Sequence, residues 1–227
     1  MLAVDPAPRL EAMQRKPKRR TRERILEVSL ALFNQFGEPN VTTSFIADEL
    51  GISPGNLYYH FHSKDEITNT LFAAFEREIE GVLTAPATRP ANVEDIWLFL
   101  HLLFEAIWRY RFLYRDLNDL LSRNRTLEIH FKRLLAHKTE AACALCNDLV
   151  RHAQMRAHAG EIRALGTNMA LVATYWLSFE YVRSPRHLVE AEVLARGAYQ
   201  AMAMIAPFLV GKARELFERL AQQYIAQ

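Results

Sequence analysis

The apolar residues of this chain recur at intervals of three and four positions, the spacing that places side chains along one face of an α-helix. No segment alternates apolar and polar residues over five or more positions, as a half-buried strand would. The first apolar stripe, which includes Ile25, Leu32 and Phe33, predicts a helix from about Thr21 to Gly37. The whole pattern predicts an all-α fold.

Two short helices are predicted next, separated by a tight turn. Thr43 suits the N-cap of the segment "SFIADEL", whose apolar residues are expected to face inward and which ends at Gly51. Ser53 and Pro54 suit the N-cap and the first turn of the segment "PGNLYYHF". This spacing is that of a helix-turn-helix, so we predict a three-helix domain in this part of the chain.

The rest of the chain divides at one proline-containing segment. Ser63 and Glu66 form a capping box that opens a longer predicted helix, which ends near Leu83. The segment "TAPATRPAN", at 84–92, holds two prolines and small residues, which is typical of a domain junction. The predicted parts are a flexible basic tail at 1–20, a helix-turn-helix domain with its connecting helix at 21–83, and a larger helical domain at 93–227.

The third predicted helix turns an unusual set of side chains outward. When Leu57 faces the core, Asn56 and Tyr59 point away from it, while Gly55 lets the backbone approach a neighbour closely. An asparagine can pair with a base edge in the major groove of DNA, and tyrosines can donate to phosphates. The candidate DNA contacts on this helix are Gly55, Asn56, Tyr58, Tyr59 and His60.

Positive charge is concentrated at the start of the chain. The net charge is only +2, yet residues 1–24 hold eight Lys or Arg against three Asp or Glu, mostly within "RKPKRRTRER". Affinity for phosphate therefore requires this local concentration, helped by amides and hydroxyls at the start of the second helix. The candidate phosphate contacts are Lys18, Arg19, Arg20, Thr43, Ser44 and Lys64.

Each of these features has an ordinary structural explanation as well. Exposed tyrosines often pack on a neighbouring helix, charge runs are usually solvated, and helix-turn-helix shapes occur in proteins that bind no nucleic acid. Their conjunction within a few dozen residues favours a DNA-binding domain.

The segment "TRERILEVSLALFNQFGEPNVTTSFIADELGISPGNLYYHFHSKDEI", Thr21 to Ile67, resembles the DNA-binding domain of the TetR family of bacterial regulators. The resemblance implies a homodimer on a palindromic operator, which is released, or more rarely bound, when a small molecule occupies the helical effector domain. It also implies that the DNA contacts are Thr43, Ser44, Gly55, Asn56, Tyr58, Tyr59, His60 and Lys64. Many relatives carry Arg or Lys where Ser44 stands, so a base contact from this position is in doubt.

The larger predicted domain opens with an aromatic segment, "WLFLHLLFEAIWRYRFLY", in which seven of eighteen residues are aromatic. Such a stretch can line a pocket for an apolar molecule with a few polar anchors, or it can simply fill a core whose polar groups are paired internally. The candidate effector contacts are Trp97, His101, Phe104, Glu105, Trp108, Phe112, Asn118 and Tyr175.

The last two long predicted helices interleave small and large residues, as close helix packing requires. In the family these helices form a four-helix dimer interface, so the resemblance implies the same interface here. The segments "GEPNVTT", "GISPGNLYYHFH" and "YRFLYRDL" look most like a subgroup that includes regulators of polyhydroxyalkanoate storage genes. That likeness implies an acyl or acyl-CoA effector.

Several functions are disfavoured by the sequence. It holds no Gly-rich phosphate loop, no G-x-S-x-G and no H-E-x-x-H, so we predict no enzyme and no cofactor. Cys143 and Cys146 form a lone C-x-x-C on a helix with no further ligand in reach, which disfavours a metal site. The longest apolar stretch, 96–108, is too short to span a membrane, and no signal peptide is visible, which predicts a cytoplasmic protein. The remaining alternatives are a sequence-tolerant DNA-coating protein, a ligand-binding protein with a vestigial DNA domain, and an activator of the same fold.

Overall fold

The structure is a computed structural model that describes residues 16–84, 91–184 and 189–225. Throughout these ranges the fold is helical, and the only β-type pairing in them is an isolated bridge between Met155 and Leu209, so the all-α prediction is confirmed. The helices are α1 (Lys16–Phe36), α2 (Thr43–Leu50), α3 (Pro54–His60), α4 (Lys64–Leu83), α5 (Val93–Arg109), α6 (Arg111–Arg115), α7 (Leu117–Arg123), α8 (Arg125–Arg151), α9 (Ala159–Arg183), α10 (Glu190–Ile205) and α11 (Gly211–Ile225), with 3₁₀ turns at Glu38–Asn40 and Ala206–Phe208.

The smaller of two compact units ends at Leu71 and contains the predicted three-helix arrangement. Its core is built from the apolar stripes of α1, α2 and α3, which supply Ile25, Phe33, Ile46 and Leu57. All four side chains are fully buried, so each short helix is held by packing that it could not obtain alone. The predicted helix-turn-helix is therefore present.

The first helix begins five residues earlier than predicted. It starts at Lys16 and not at Thr21, because Lys and Arg favour helix and Pro17 stands in the first turn, where its missing N–H needs no partner. Residues 16–20, which were predicted to belong to a flexible tail, are thus helical. The remainder of that predicted tail, 1–15, lies outside the described residues.

The start of α2 differs from its prediction by one position. The N-cap is Thr42, whose Oγ1 accepts from the Phe45 backbone N–H at 3.1 Å, and Thr43 is the first helical residue. Phe45 was expected to face inward, but it is exposed and packs against the exposed ring of Phe36, with the centroids 5.7 Å apart. An eight-residue helix buries only the side that Ile46 and Ala47 occupy.

The larger unit begins at Phe72, inside α4. The predicted junction at 84–92 lies later in the chain, and 85–90 fall outside the described residues. The earlier boundary has a packing cause: the ring of Phe72 lies 6.4 Å from that of Phe131, and Phe75 lies 5.7 Å from Tyr114. The second half of α4 is thereby part of the aromatic core of the larger unit.

Two glycines let the long helices of the larger unit approach closely. A Cβ on Gly166 of α9 would overlap the Cys143 sulfur and lie 3.0 Å from the Thr139 carbonyl oxygen, both on α8. A Cβ on Gly197 of α10 would lie 2.8 Å from the rings of Phe104 and Trp176. Helix α9 therefore approaches the backbone of α8, and the backbone of α10 lies against ring side chains of α5 and α9.

Candidate functional site

Helix α3 is fixed at both ends by local interactions that the sequence encodes. Gly51 closes α2 in the left-handed conformation, with φ at 66°, which only glycine adopts without strain. Ser53 caps α3, and its Oγ accepts from the Asn56 backbone N–H at 3.2 Å. Leu57 and Phe61 are fully buried beneath the helix, so the opposite side is held toward solvent.

The predicted outer face of α3 is exposed as expected. Gly55, Asn56, Tyr58 and Tyr59 are all exposed, and 63% of the surface of Tyr59 is accessible. His60 is half-buried, and its ring meets that of Tyr59 edge-on at 5.3 Å. A face of this kind offers amide, hydroxyl and imidazole groups at the side of a helix narrow enough to enter the major groove.

Helix α2 contributes to the same surface through its first turn. The Thr43 hydroxyl lies 3.4 Å from the hydroxyl of Tyr58, which joins the start of α2 to the outer side of α3. Ser44 is exposed beside it. The structure thus brings together Thr43, Ser44, Asn56, Tyr58 and Tyr59 as one polar surface.

Lys64 has a partner that the sequence did not indicate. Its ammonium donates to the Glu38 carbonyl oxygen at 3.0 Å and lies 3.3 Å from the Glu38 carboxylate, which is fully buried. A buried carboxylate without a counter-charge would be costly, so Lys64 stabilises the turn after α1. Its contact with phosphate stays a prediction, and the structure adds this internal pairing.

Of the three predicted basic contacts near the N terminus, the structure describes the side chain of one. Arg20 lies on α1 and is exposed. The side chains of Lys18 and Arg19 lie outside the described part of the chain. Next along α1, the guanidinium of Arg22 stacks over the ring of Phe61 at 4.5 Å, which ties the basic start of α1 to the end of α3.

The predicted effector contacts separate into buried and exposed groups. Phe104, Trp108 and Phe112 are buried in the larger unit. Trp97 and His101 are half-buried, with rings 3.9 Å apart and His101 Nδ1 3.0 Å from the Trp97 carbonyl oxygen.

Three of the predicted polar anchors face solvent. Glu105 and Asn118 are exposed on α5 and α7, and Tyr175 is exposed on α9. Helical periodicity explains the difference, because each stands on the side of its helix opposite the buried stripe. These three side chains therefore do not line the buried core, and their role as effector contacts stays a prediction.

Several polar side chains are buried in the larger unit, and two of them, Lys138 and Tyr114, contact each other. The Lys138 ammonium donates to the Tyr114 hydroxyl at 2.8 Å, and the two residues are 2% and 1% exposed. Burial lowers the pKa of Lys138 to about 7 and raises that of Tyr114 well above its usual value. The signal in the sequence is that Lys138 stands on the apolar stripe of α8, four residues from both Leu134 and Ala142.

Aromatic rings and α9 surround this pair. The ring centroid of Phe131 lies 5.8 Å from that of Tyr114 and 5.6 Å from the Lys138 nitrogen. Ser178 of α9 donates to the Tyr114 carbonyl oxygen at 3.1 Å. One turn earlier on α9, the Thr174 hydroxyl is buried without a hydrogen-bond partner among the described residues.

Within the described ranges, no three His, Cys, Asp or Glu side chains are grouped as a metal site requires. Cys143 and Cys146 are free thiols, and burial raises the pKa of Cys146 to about 11, which keeps it protonated. None of the described helices combines the length and the apolar character that a membrane span requires.

Two family models match the chain. The one described as bacterial regulatory proteins, tetR family, matches residues 25–71. The one described as a bacterial transcriptional repressor matches residues 74–217. The first match contains α2 and α3, and the second contains the Lys138 and Tyr114 pair.

Similar proteins agree with these matches. A TetR-family transcriptional regulator from Marinobacter aquaeolei VT8 is 33% identical, with a TM-score of 0.83 over 90% of this chain and 98% of that one. A transcriptional regulator from Saccharomonospora viridis, solved in complex with choline, shares the fold at 16% identity and a TM-score of 0.63, over 79% of this chain and 94% of that one. An HTH-type transcriptional regulator of Staphylococcus aureus is 34% identical over 70 residues, which span 31% of this chain and 36% of that protein.

Proposed function

The chain belongs to the TetR family of bacterial transcriptional regulators, and from this membership we propose that it is a repressor that a small apolar or acyl-type effector releases from DNA. In this proposal a homodimer in the cytoplasm binds a palindromic operator. The observation that carries it is the outer face of α3, where Asn56, Tyr58 and Tyr59 are exposed together above a fully buried Leu57.

An apolar row on α9 supports the homodimer. Leu171, Tyr175, Phe179 and Val182 lie on one side of the helix and are each between 43% and 84% exposed. Single exposed apolar side chains are ordinary, but a continuous row marks an interaction surface. A second copy related by a two-fold axis would cover the row with the same row, and a two-fold dimer matches the symmetry of a palindrome.

The first experiment is selection of bound fragments from the source genome by the purified protein, at about 0.15 M salt so that sequence-independent phosphate binding is weak. We expect recovery of a palindromic site. Recovery of fragments without a shared sequence would favour the sequence-tolerant DNA-coating alternative, and recovery of none would favour a ligand-binding protein with a vestigial DNA domain.

Variants on α3 test the reading surface itself. We expect Asn56→Ala and Tyr59→Ala each to weaken operator binding by about 1–3 kcal/mol, because each removes a groove or phosphate contact. Asn147→Ala, at an exposed position of α8, is the matched control and should bind like the wild type. Equal affinity of all four proteins in fluorescence anisotropy would contradict the assignment of α3 as the reading helix.

The sign of regulation needs a separate measurement. A reporter placed behind the selected site should rise when the gene for the regulator is deleted, because a repressor blocks transcription. A fall on deletion would instead identify an activator of the same fold.

A further inference from the structure

The buried pair of Lys138 and Tyr114 has hydrogen-bonding capacity that the described protein does not use. An ammonium carries three N–H donors, and the only acceptor of Lys138 in the described ranges is the Tyr114 hydroxyl. Because Tyr114 accepts this bond, its own hydroxyl proton is free to be donated, and no described residue accepts it. Three donors therefore converge at one buried point.

No acidic side chain balances this lysine. Among the described residues Lys138 forms no ion pair, whereas the exposed Lys132, on the same helix, is paired with Glu128. Besides the Tyr114 hydroxyl, the contacts of this amine among the described residues are the faces of two rings, those of Tyr114 at 4.7 Å and Phe131 at 5.6 Å. A buried cation in such surroundings is stabilised when an anion is added to it.

A fourth unused polar group lies on the neighbouring helix. Thr174 is 2% exposed and its hydroxyl has no partner in the described ranges. It stands one helical turn from Ser178, which donates to the Tyr114 carbonyl oxygen, so both belong to the side of α9 that meets α6. Unpaired buried hydroxyls are uncommon, and this one lies on the helix face that contacts the Tyr114 backbone.

We infer that Lys138 and Tyr114, assisted by Thr174, bind the carboxylate of an apolar monocarboxylic acid. A carboxylate has two oxygens and about four acceptor positions, which match two donors from the ammonium and one each from the two hydroxyls. The rings of Phe131 and Phe75 flank Tyr114 at 5.8 and 5.7 Å and suit the aromatic or acyl part of such an acid. They provide no hydrogen-bonding group for a second carboxylate, which is why we infer a monocarboxylic acid. Calling this acid the effector rests on the proposed function, whereas its binding does not.

The test compares acids with alcohols of the same carbon skeleton. Decanoate, decan-1-ol, 4-phenylbutyrate and 4-phenylbutan-1-ol are titrated into the DNA-free protein by calorimetry. We expect the wild type to bind at least one acid at least tenfold more tightly than its alcohol. Lys138→Met, which keeps an unbranched side chain of similar length, should lose that preference, and Tyr114→Phe should reduce it about threefold or more.

Lys132→Met is the matched control, since it removes an exposed lysine from the same helix and should keep the preference of the wild type. A Lys138→Met protein with unchanged acid preference would overturn the inference, because a lysine that only fills the core would behave in this way. Binding of none of the four probes by the folded wild type would overturn it as well.

The carboxylate site and the proposed repressor function can be disproved independently of each other. If an acid binds through Lys138 and the genome selection returns no operator, the proposed repressor function fails and the carboxylate site stands. If an operator is recovered and no acid binds, the carboxylate site fails and the regulator stands. Helicity and the melting temperature of each variant, measured first, ensure that only folded proteins are compared.

Discussion

At the scale of single residues, two lysines in the described part of the chain have opposite effects on stability. Lys64 supplies a counter-charge to the buried carboxylate of Glu38. Lys138 is the buried charge itself, and only a tyrosine hydroxyl and two ring faces meet it. The first arrangement stabilises its unit, whereas the second lowers stability whenever the amine is protonated.

Lys138 should therefore make stability depend on pH. The unfolded chain protonates this amine below its ordinary pKa of 10.5, but the folded chain does so only below about 7. Between these values the unfolded state binds more protons, so the free energy of unfolding rises with pH. We expect Lys138→Met to be more stable than the wild type at pH 7, and this advantage to shrink by about 2 kcal/mol by pH 9.

The measurement is urea unfolding of both proteins at several pH values, with Lys132→Met as the control. Groups that titrate equally in both proteins cancel in the difference. An advantage of Lys138→Met that stays constant from pH 7 to pH 9 would contradict the depressed pKa.

At the scale of helices, apolar periodicity predicts the extent of a helix correctly only where the buried side chains lie on one face. The apolar spacing of residues 111–122 suits one helix, but the structure has α6 and α7 with a break at Asp116, whose φ and ψ are −105° and 20°. Phe112, Leu113 and Tyr114 are consecutive and all buried, which no single straight helix face allows. Leu117 and Leu120, which follow the break, are buried as well.

Alanine substitution should change stability in opposite directions at Gly166, where α9 approaches α8 closely, and at Gly81, where a Cβ meets open space. Gly166→Ala should destabilise the protein by about 1–3 kcal/mol, because its Cβ would overlap Cys143 and press on the backbone of α8. Gly81→Ala should instead stabilise it by about 0.5–1 kcal/mol, because nothing lies within 4 Å of a Cβ there and alanine favours helix. Chemical denaturation of the two variants beside the wild type measures both; equal shifts would contradict the packing described for α9.

The features that depend on local spacing could be predicted from the sequence alone. The caps, the turn and the outward direction of Asn56 and Tyr59 follow from periodicity, and the structure agrees with them except for the one-residue shift at Thr42. The Lys64 and Glu38 contact joins residues 26 positions apart, and the Lys138 and Tyr114 contact joins residues 24 apart. Such pairs depend on how helices pack, which no local pattern specifies.

At the scale of the whole molecule, the apolar row on α9 predicts self-association. Leu171→Asp combined with Phe179→Asp should shift the protein from dimer to monomer in light scattering, because two charges would be buried in the interface. Asn147→Asp, at an exposed polar position of α8 outside the apolar row, is the control and should remain dimeric. A double variant that stays dimeric would place the interface elsewhere. A wild type that is monomeric at micromolar concentration would remove the proposed homodimer.

The two sides of the seven-residue helix α3 have different roles, one in packing and the other at the surface. Leu57 alone anchors the helix in the core, while Gly55, Asn56, Tyr58 and Tyr59 are exposed. The exposed positions can consequently be randomised together in a library without disturbing the packing that holds the helix in place. New operator preferences could be selected from such a library while the larger unit is kept unchanged.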